Sequence, residues 1–80
     1  DSQHRIGITI TRLAEEIGTI KQGRVYINKL PYQQDIANMA GTSRETVSRT
    51  IKLLEEKKLL LRDGRALIIY DFNSFRQSFS

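Results

Sequence analysis

The chain has no cysteine and no tryptophan, and only one proline and one histidine. Without cysteine there is no disulfide scaffold and no thiolate zinc site. One histidine, His4, does not supply a metal cluster. No apolar run approaches the roughly eighteen residues of a membrane span. No signal peptide is visible, so a cytoplasmic setting without membrane contact is the default expectation. Catalytic arrangements are missing as well. Glu15-Glu16 and Glu55-Glu56 are sequence neighbours, so each pair diverges on a helix and makes no acid/base couple. Ser43 and Ser48 have no nearby histidine to activate them. No phosphate-cradling glycine loop appears. Neither an enzyme nor a bound cofactor is expected of this segment.

Eighty residues make one small domain with a small core. The formal net charge of +4 suits a polyanionic partner without demanding one. The start, Asp1-Ser2-Gln3-His4-Arg5, carries no initiator methionine, and the expectation is a piece of a longer protein.

The stretch from Gln33 to Glu56 organises the rest. Ile36, Ala37 and Ala40 form an apolar helix face, and Ala37 is small enough for a second helix to cross closely. Gly41 can take the left-handed conformation that ends a helix. Thr42 or Ser43 can cap the next one. Helix, glycine, hydroxyl cap and helix in that order are a helix-turn-helix signature. On the second helix, about Ser43 to Lys57, Val47, Ile51 and Leu54 face a core. Arg44, Glu45, Ser48 and Arg49 fall on the opposite side, where long hydrogen-bonding side chains can reach base edges in a major groove.

The flanks complete the pattern. Ile6, Ile10, Leu13, Ile17 and Ile20 recur at helical spacing, with Ser2 as a candidate cap and Gly18 near the end. Lys21 to Gly23 reads as a turn, and Arg24 to Lys29 as a short strand. Pro31 leads into the first helix of the pair, although Tyr32 is a poor cap there. Lys57 and Lys58 are read into the last turn of the second helix, where cations suit the macrodipole. Two apolar runs then flank Asp63-Gly64, a hairpin signal. A hairpin after a helix-turn-helix is a wing, and its tip carries Arg62 and Arg65. Phe72, Phe75 and Phe79 suggest a short closing helix docked on the core. The expected fold is a winged helix-turn-helix, mainly α with a small β-hairpin.

The string Gly41-Thr42-Ser43-Arg44-Glu45-Thr46-Val47-Ser48-Arg49 resembles the C-terminal DNA-binding domain of the cyclic-AMP receptor protein/FNR family of bacterial transcription regulators. The likeness extends from about Arg5 to Tyr70 and is densest between Gln34 and Leu60. It implies that Arg44, Glu45 and Arg49 contact bases of double-stranded DNA. It also implies a homodimer, a dimerisation helix and effector-binding domain upstream, and RNA polymerase as a further partner. Tyr32 and Gln33 depart from the family, standing where many members have a Ser/Thr–Arg pair; Thr50 occupies a usually aliphatic position.

Each candidate has a chemical reason. Arginine's fork matches O6 and N7 of guanine, and a carboxylate accepts from the amino group of cytosine. Gln33, Gln34, Thr42, Ser43, Ser48, Lys52, Arg62 and Arg65 are candidates for backbone contact or support. The plain alternative is a solvated helix face, with Glu45 and Arg49 as an i,i+4 pair worth only about 0.2–0.5 kcal/mol. The alternative function is a winged-helix protein–protein module. Such a surface favours aromatic anchors, which this helix lacks.

Overall fold

A computed structural model describes residues 1–80. Helix α1 runs Ser2–Ile17, and its cap is Asp1, not Ser2. The Asp1 carboxylate accepts the His4 N–H at 2.8 Å, while the Ser2 hydroxyl accepts from Arg5 Nη2 at 3.3 Å. Ile6, Ile10 and Leu13 are buried, but Ile17 and Ile20 are 48% and 59% exposed. The apolar stripe therefore stops short of its expected length. The backbone turns extended at Gly18, and Ile20 lies in strand β1, Thr19–Lys21. A strand alternates sides every residue, so helical spacing no longer decides which way Ile20 points.

Strands β2 (Arg24–Ile27), β3 (Leu60–Asp63) and β4 (Ala66–Ile69) complete an antiparallel sheet of order β1-β2-β4-β3. The hairpin is as expected, and so is a strand after Gly23, although it ends at Ile27 and not at Lys29; β1 was not expected. Its three residues are all exposed, so no buried pattern marks them in the sequence. The expected turn at Lys21–Gly23 narrows to Gln22 and Gly23, both at positive φ, because Lys21 pairs with Arg24. Two such residues match the twist of the flanking strands. In the wing, Asp63 pairs with Ala66, so the turn residues are Gly64 and Arg65, one position later than the sequence signal.

Helix α2 spans Gln33–Ala40, α3 spans Arg44–Glu56 and α4 spans Phe72–Ser78. Val47, Ile51 and Leu54 of α3 join Ile6, Ile10, Ile36, Leu60 and Phe75 in one core. Phe79 packs against that core beside Gly7, where a Cβ would run into its ring. Thr50 is buried; the threonine hydroxyls that bond back to their own helix are Thr9 and Thr11, to the Arg5 and Gly7 carbonyls.

Two helices end through the same backbone device. Gly41 has φ 70 and ψ 42, and the Thr42 N–H returns to the Ala37 carbonyl at 2.9 Å. Lys58 has φ 64, and the Leu59 N–H returns to the Leu54 carbonyl at 3.0 Å. Lys57 and Lys58 thus lie just beyond α3 instead of within its last turn. The left-handed conformation suits glycine and strains any residue with a Cβ. Nothing lies within 4 Å of a Cβ built on Gly41, so only backbone strain acts there. Gly41→Ala is expected to destabilise the domain, and Lys58→Gly to stabilise it, each by about 1 kcal/mol. Urea unfolding of the two variants checks the opposite signs.

Candidate nucleic-acid interface

The start of α3 is held by its own side chains, and the turn before it is held from α1. The Ser43 hydroxyl accepts the Thr46 N–H at 3.2 Å and bonds the Thr46 hydroxyl at 2.8 Å. Thr46 Oγ1 in turn accepts from Arg49 Nη2 at 3.4 Å. From α1, Arg5 donates through Nε to the Ala40 carbonyl at 2.9 Å and through Nη2 to the Gly41 carbonyl at 3.3 Å. A cation at those carbonyls meets the negative end of α2 and satisfies acceptors that the helix leaves open. Ser43 is therefore the cap that the sequence offered as one of two; Thr42 is half-buried in the turn.

Arg44, Glu45, Ser48, Arg49 and Lys52 are all exposed along α3. The molecule's one ion pair joins Arg76 to Glu15 at 3.5 Å, so Glu45 and Arg49 make none. The row presents two guanidinium groups and a carboxylate to water, on a helix whose far side is filled by the core. Such a surface can donate paired hydrogen bonds to acceptors and accept from an amino group.

The supporting candidates form two groups. Ser48, Lys52 and Arg62, with Ile51 and Glu55, line a hollow of about 280 Å³ between α3 and the wing. The Glu55 carboxylate accepts the Arg62 N–H there at 3.5 Å. Arg65 lies elsewhere. It is half-buried and faces the segment entering α2, where its Nε donates to the Leu30 carbonyl at 3.0 Å. Gln33 and Gln34 begin α2 on that side; Gln34 Nε2 donates to Asn38 Oδ1 at 3.1 Å. Tyr32 gives α2 no side-chain cap, in line with its sequence.

Three residues that hold this surface were not singled out as contributors. Thr46 sits three residues from both Ser43 and Arg49, a spacing that does place side chains together on a helix. Arg5 acts across thirty-five residues, which no local pattern announces. Tyr32, a poor cap and a departure from the family pattern, touches the wing instead.

Comparison with known proteins gives a consistent picture. Residues 4–78 match the family described as the Crp-like helix-turn-helix domain. The nitrogen fixation regulation protein FixK of Azorhizobium caulinodans is 37% identical over 76 residues, covering 82% of this chain and 31% of that protein. The cAMP-activated global transcriptional regulator CRP of Haemophilus influenzae is 45% identical over 38 residues, covering 48% of this chain and 17% of that protein. This chain thus spans less than a third of either relative's length. Among solved structures, oxidized CprK in complex with o-chlorophenolacetic acid shares the fold, with a TM-score of 0.84 at 20% identity, over 100% of this chain and 34% of that one.

The cap geometry carries a measurable consequence. Ser43→Ala removes the acceptor for the Thr46 N–H and the partner of the Thr46 hydroxyl. A loss of about 0.5–2 kcal/mol is expected in thermal or denaturant unfolding.

Proposed function

The chain belongs to the Crp-like helix-turn-helix domain family, and on that footing we propose that it binds double-stranded DNA sequence-specifically as part of a transcription regulator. The observation that carries this reading is the exposed, unpaired row of Arg44, Glu45 and Arg49 on a helix fixed by core packing. In the proposal α3 enters the major groove and these three side chains read base edges. Arg44 or Arg49 meets a G·C pair through the guanidinium fork, and Glu45 accepts from a cytosine amino group or orients a neighbouring arginine. Ser48, Lys52 and Arg62, around the hollow beside α3, take the DNA backbone on one flank. Gln33, Gln34, Thr42, Ser43 and Arg65 serve or support backbone contact at the turn and the other flank.

The names of the relatives support a regulatory role: one is called a transcriptional regulator, the other a nitrogen fixation regulation protein. On this reading residues 1–80 are the DNA-binding domain of a longer, homodimeric, cytoplasmic regulator. Effector binding belongs to another domain of that protein, RNA polymerase is a further partner, and no catalysis is assigned to this domain. One domain offers few base contacts, so a dimer on a two-fold operator doubles them.

Titration of labelled duplexes at two salt concentrations tests the proposal. Binding is expected to saturate and to weaken steeply as salt rises, because bound phosphates release counterions. A domain that serves only protein contacts shows no saturable duplex binding at either salt. On a selected operator, Arg49→Ala is expected to cost about 1–3 kcal/mol and to relax base choice at one position. Arg62→Ala is expected to weaken all sequences alike and to lower the salt slope by about 0.9. An unchanged sequence preference in Arg49→Ala removes Arg49 from the base-reading set.

A further inference from the structure

Tyr32 breaks the local rules for its position. It precedes the first residue of α2 yet caps nothing, and it is 64% exposed. Its contact is with the wing. The Arg65 guanidinium carbon lies 4.2 Å from the centroid of the Tyr32 ring. The same guanidinium donates through Nε to the Leu30 carbonyl at 3.0 Å, and the Leu30 N–H donates back to the Arg65 carbonyl at 2.7 Å. Leu30 is buried, so its carbonyl is a fixed anchor. Pairing between β2 and β4 reaches only to Ile27 and Leu67. The wing turn lies past that point, and these contacts tie it to the residues entering α2.

Arg65 is thus engaged on one ring face and at Nε, but not at its outer end. Nη1 and Nη2 have no hydrogen-bond partner within the molecule, and no carboxylate pairs with them. A free arginine samples many rotamers and must surrender them on binding. This one is already held, with two donors left in the plane that matches a pair of phosphate oxygens. We infer that Tyr32 is a positioning residue for DNA binding: it holds the Arg65 guanidinium so that its Nη groups grip a backbone phosphodiester between the wing and α2. The inference rests on the DNA-binding reading and goes beyond it by giving Tyr32 a role. It also accounts for an aromatic ring at a place where a hydroxyl cap is the usual solution. A serine or threonine would cap α2 but offer no face for a guanidinium.

The test is fluorescence anisotropy of the eighty-residue domain with a labelled mixed-sequence duplex over a series of salt concentrations. Arg65→Ala is expected to weaken binding and to lower the slope of log affinity against log salt by about 0.9, the loss of one phosphate contact. Tyr32→Ala leaves the cation in place, so its slope matches the unaltered domain. Its affinity falls about two- to fivefold at each salt, the factor that an exposed cation–π contact carries. Tyr32→Phe keeps the ring and binds as the unaltered domain does. The double variant, Tyr32→Ala with Arg65→Ala, binds no more weakly than Arg65→Ala alone. Melting curves identify variants that remain folded. Should Tyr32→Ala unfold, Tyr32→Leu, which keeps bulk but not the ring's negative face, is expected to weaken binding in its place. A folded Tyr32→Ala that binds with full affinity overturns the inference, as does an unchanged slope in Arg65→Ala; in both cases duplex binding by the unaltered domain leaves the broader reading standing. Absence of any salt-dependent binding by the unaltered domain overturns both.

Discussion

A helix can present a fixed row of side chains to a partner only if its opposite side is already committed. In α3 that commitment is Val47, Ile51 and Leu54, all buried in one core with Ile6, Ile36 and Leu60. Rotating α3 about its axis would bring these side chains into water, at about 1.5–3 kcal/mol for each one fully exposed. Such a cost fixes the phase of the helix without any help from its outer face. Arg44, Glu45 and Arg49 are thereby directed outward by residues on the other side. Because they bear none of the packing, their chemistry is free to suit a partner.

Rotation is one degree of freedom; the position of the helix along its axis is another. The turn before α3 settles the second. Gly41 reverses the chain in a left-handed conformation, and Arg5 binds the Ala40 and Gly41 carbonyls from α1. Ser43 closes the first turn of α3 through Thr46. A shift of the turn would break hydrogen bonds on both sides of it. The wing is secured in the same manner, with Leu30 and Arg65 exchanging bonds at its turn while the Arg62 backbone N–H donates to the Glu55 carboxylate of α3. The proposed DNA-facing elements therefore share a frame built from main-chain carbonyls and a few long side chains, and not from the apolar core alone.

Much of this was legible in the sequence where the signal is local and periodic. The helix pair, the glycine between its members, the wing and the closing phenylalanine helix all follow from spacing and turn chemistry. The outward face of α3 follows from the same periodicity. What escaped has physical reasons. Strand β1 is short and exposed, so it has no apolar alternation to read, and Ile20 was assigned to a helix that ends before it. Asp1 and Ser2 are both competent caps, and only the observed helix start chooses Asp1. The left-handed Lys58 ends α3 without the glycine that would announce it. Arg5 and Arg65 each act across thirty-five residues, a distance at which composition and spacing carry no information.

Charge pairing on α3 bears on the plain alternative, in which Glu45 and Arg49 are only an intrahelical pair. Glu45 and Arg49 stand at the spacing of an ordinary intrahelical pair, yet the two side chains do not join. An exposed i,i+4 pair is worth only about 0.2–0.5 kcal/mol, little more than the freedom its side chains give up. Their separation is therefore cheap in water and leaves both groups available. The Arg49 guanidinium leans toward the Thr46 hydroxyl, a neutral acceptor that leaves its charge uncompensated. A carboxylate between two free arginines is also a poor design for gripping phosphate by charge alone, since it repels the backbone it approaches. It suits a surface that must discriminate, because a misplaced acceptor penalises the wrong base edge as effectively as a well-placed one favours the right edge. In the proposed reading Glu45 thus bears more on sequence choice than the arginines beside it, which would serve attraction to any duplex equally well.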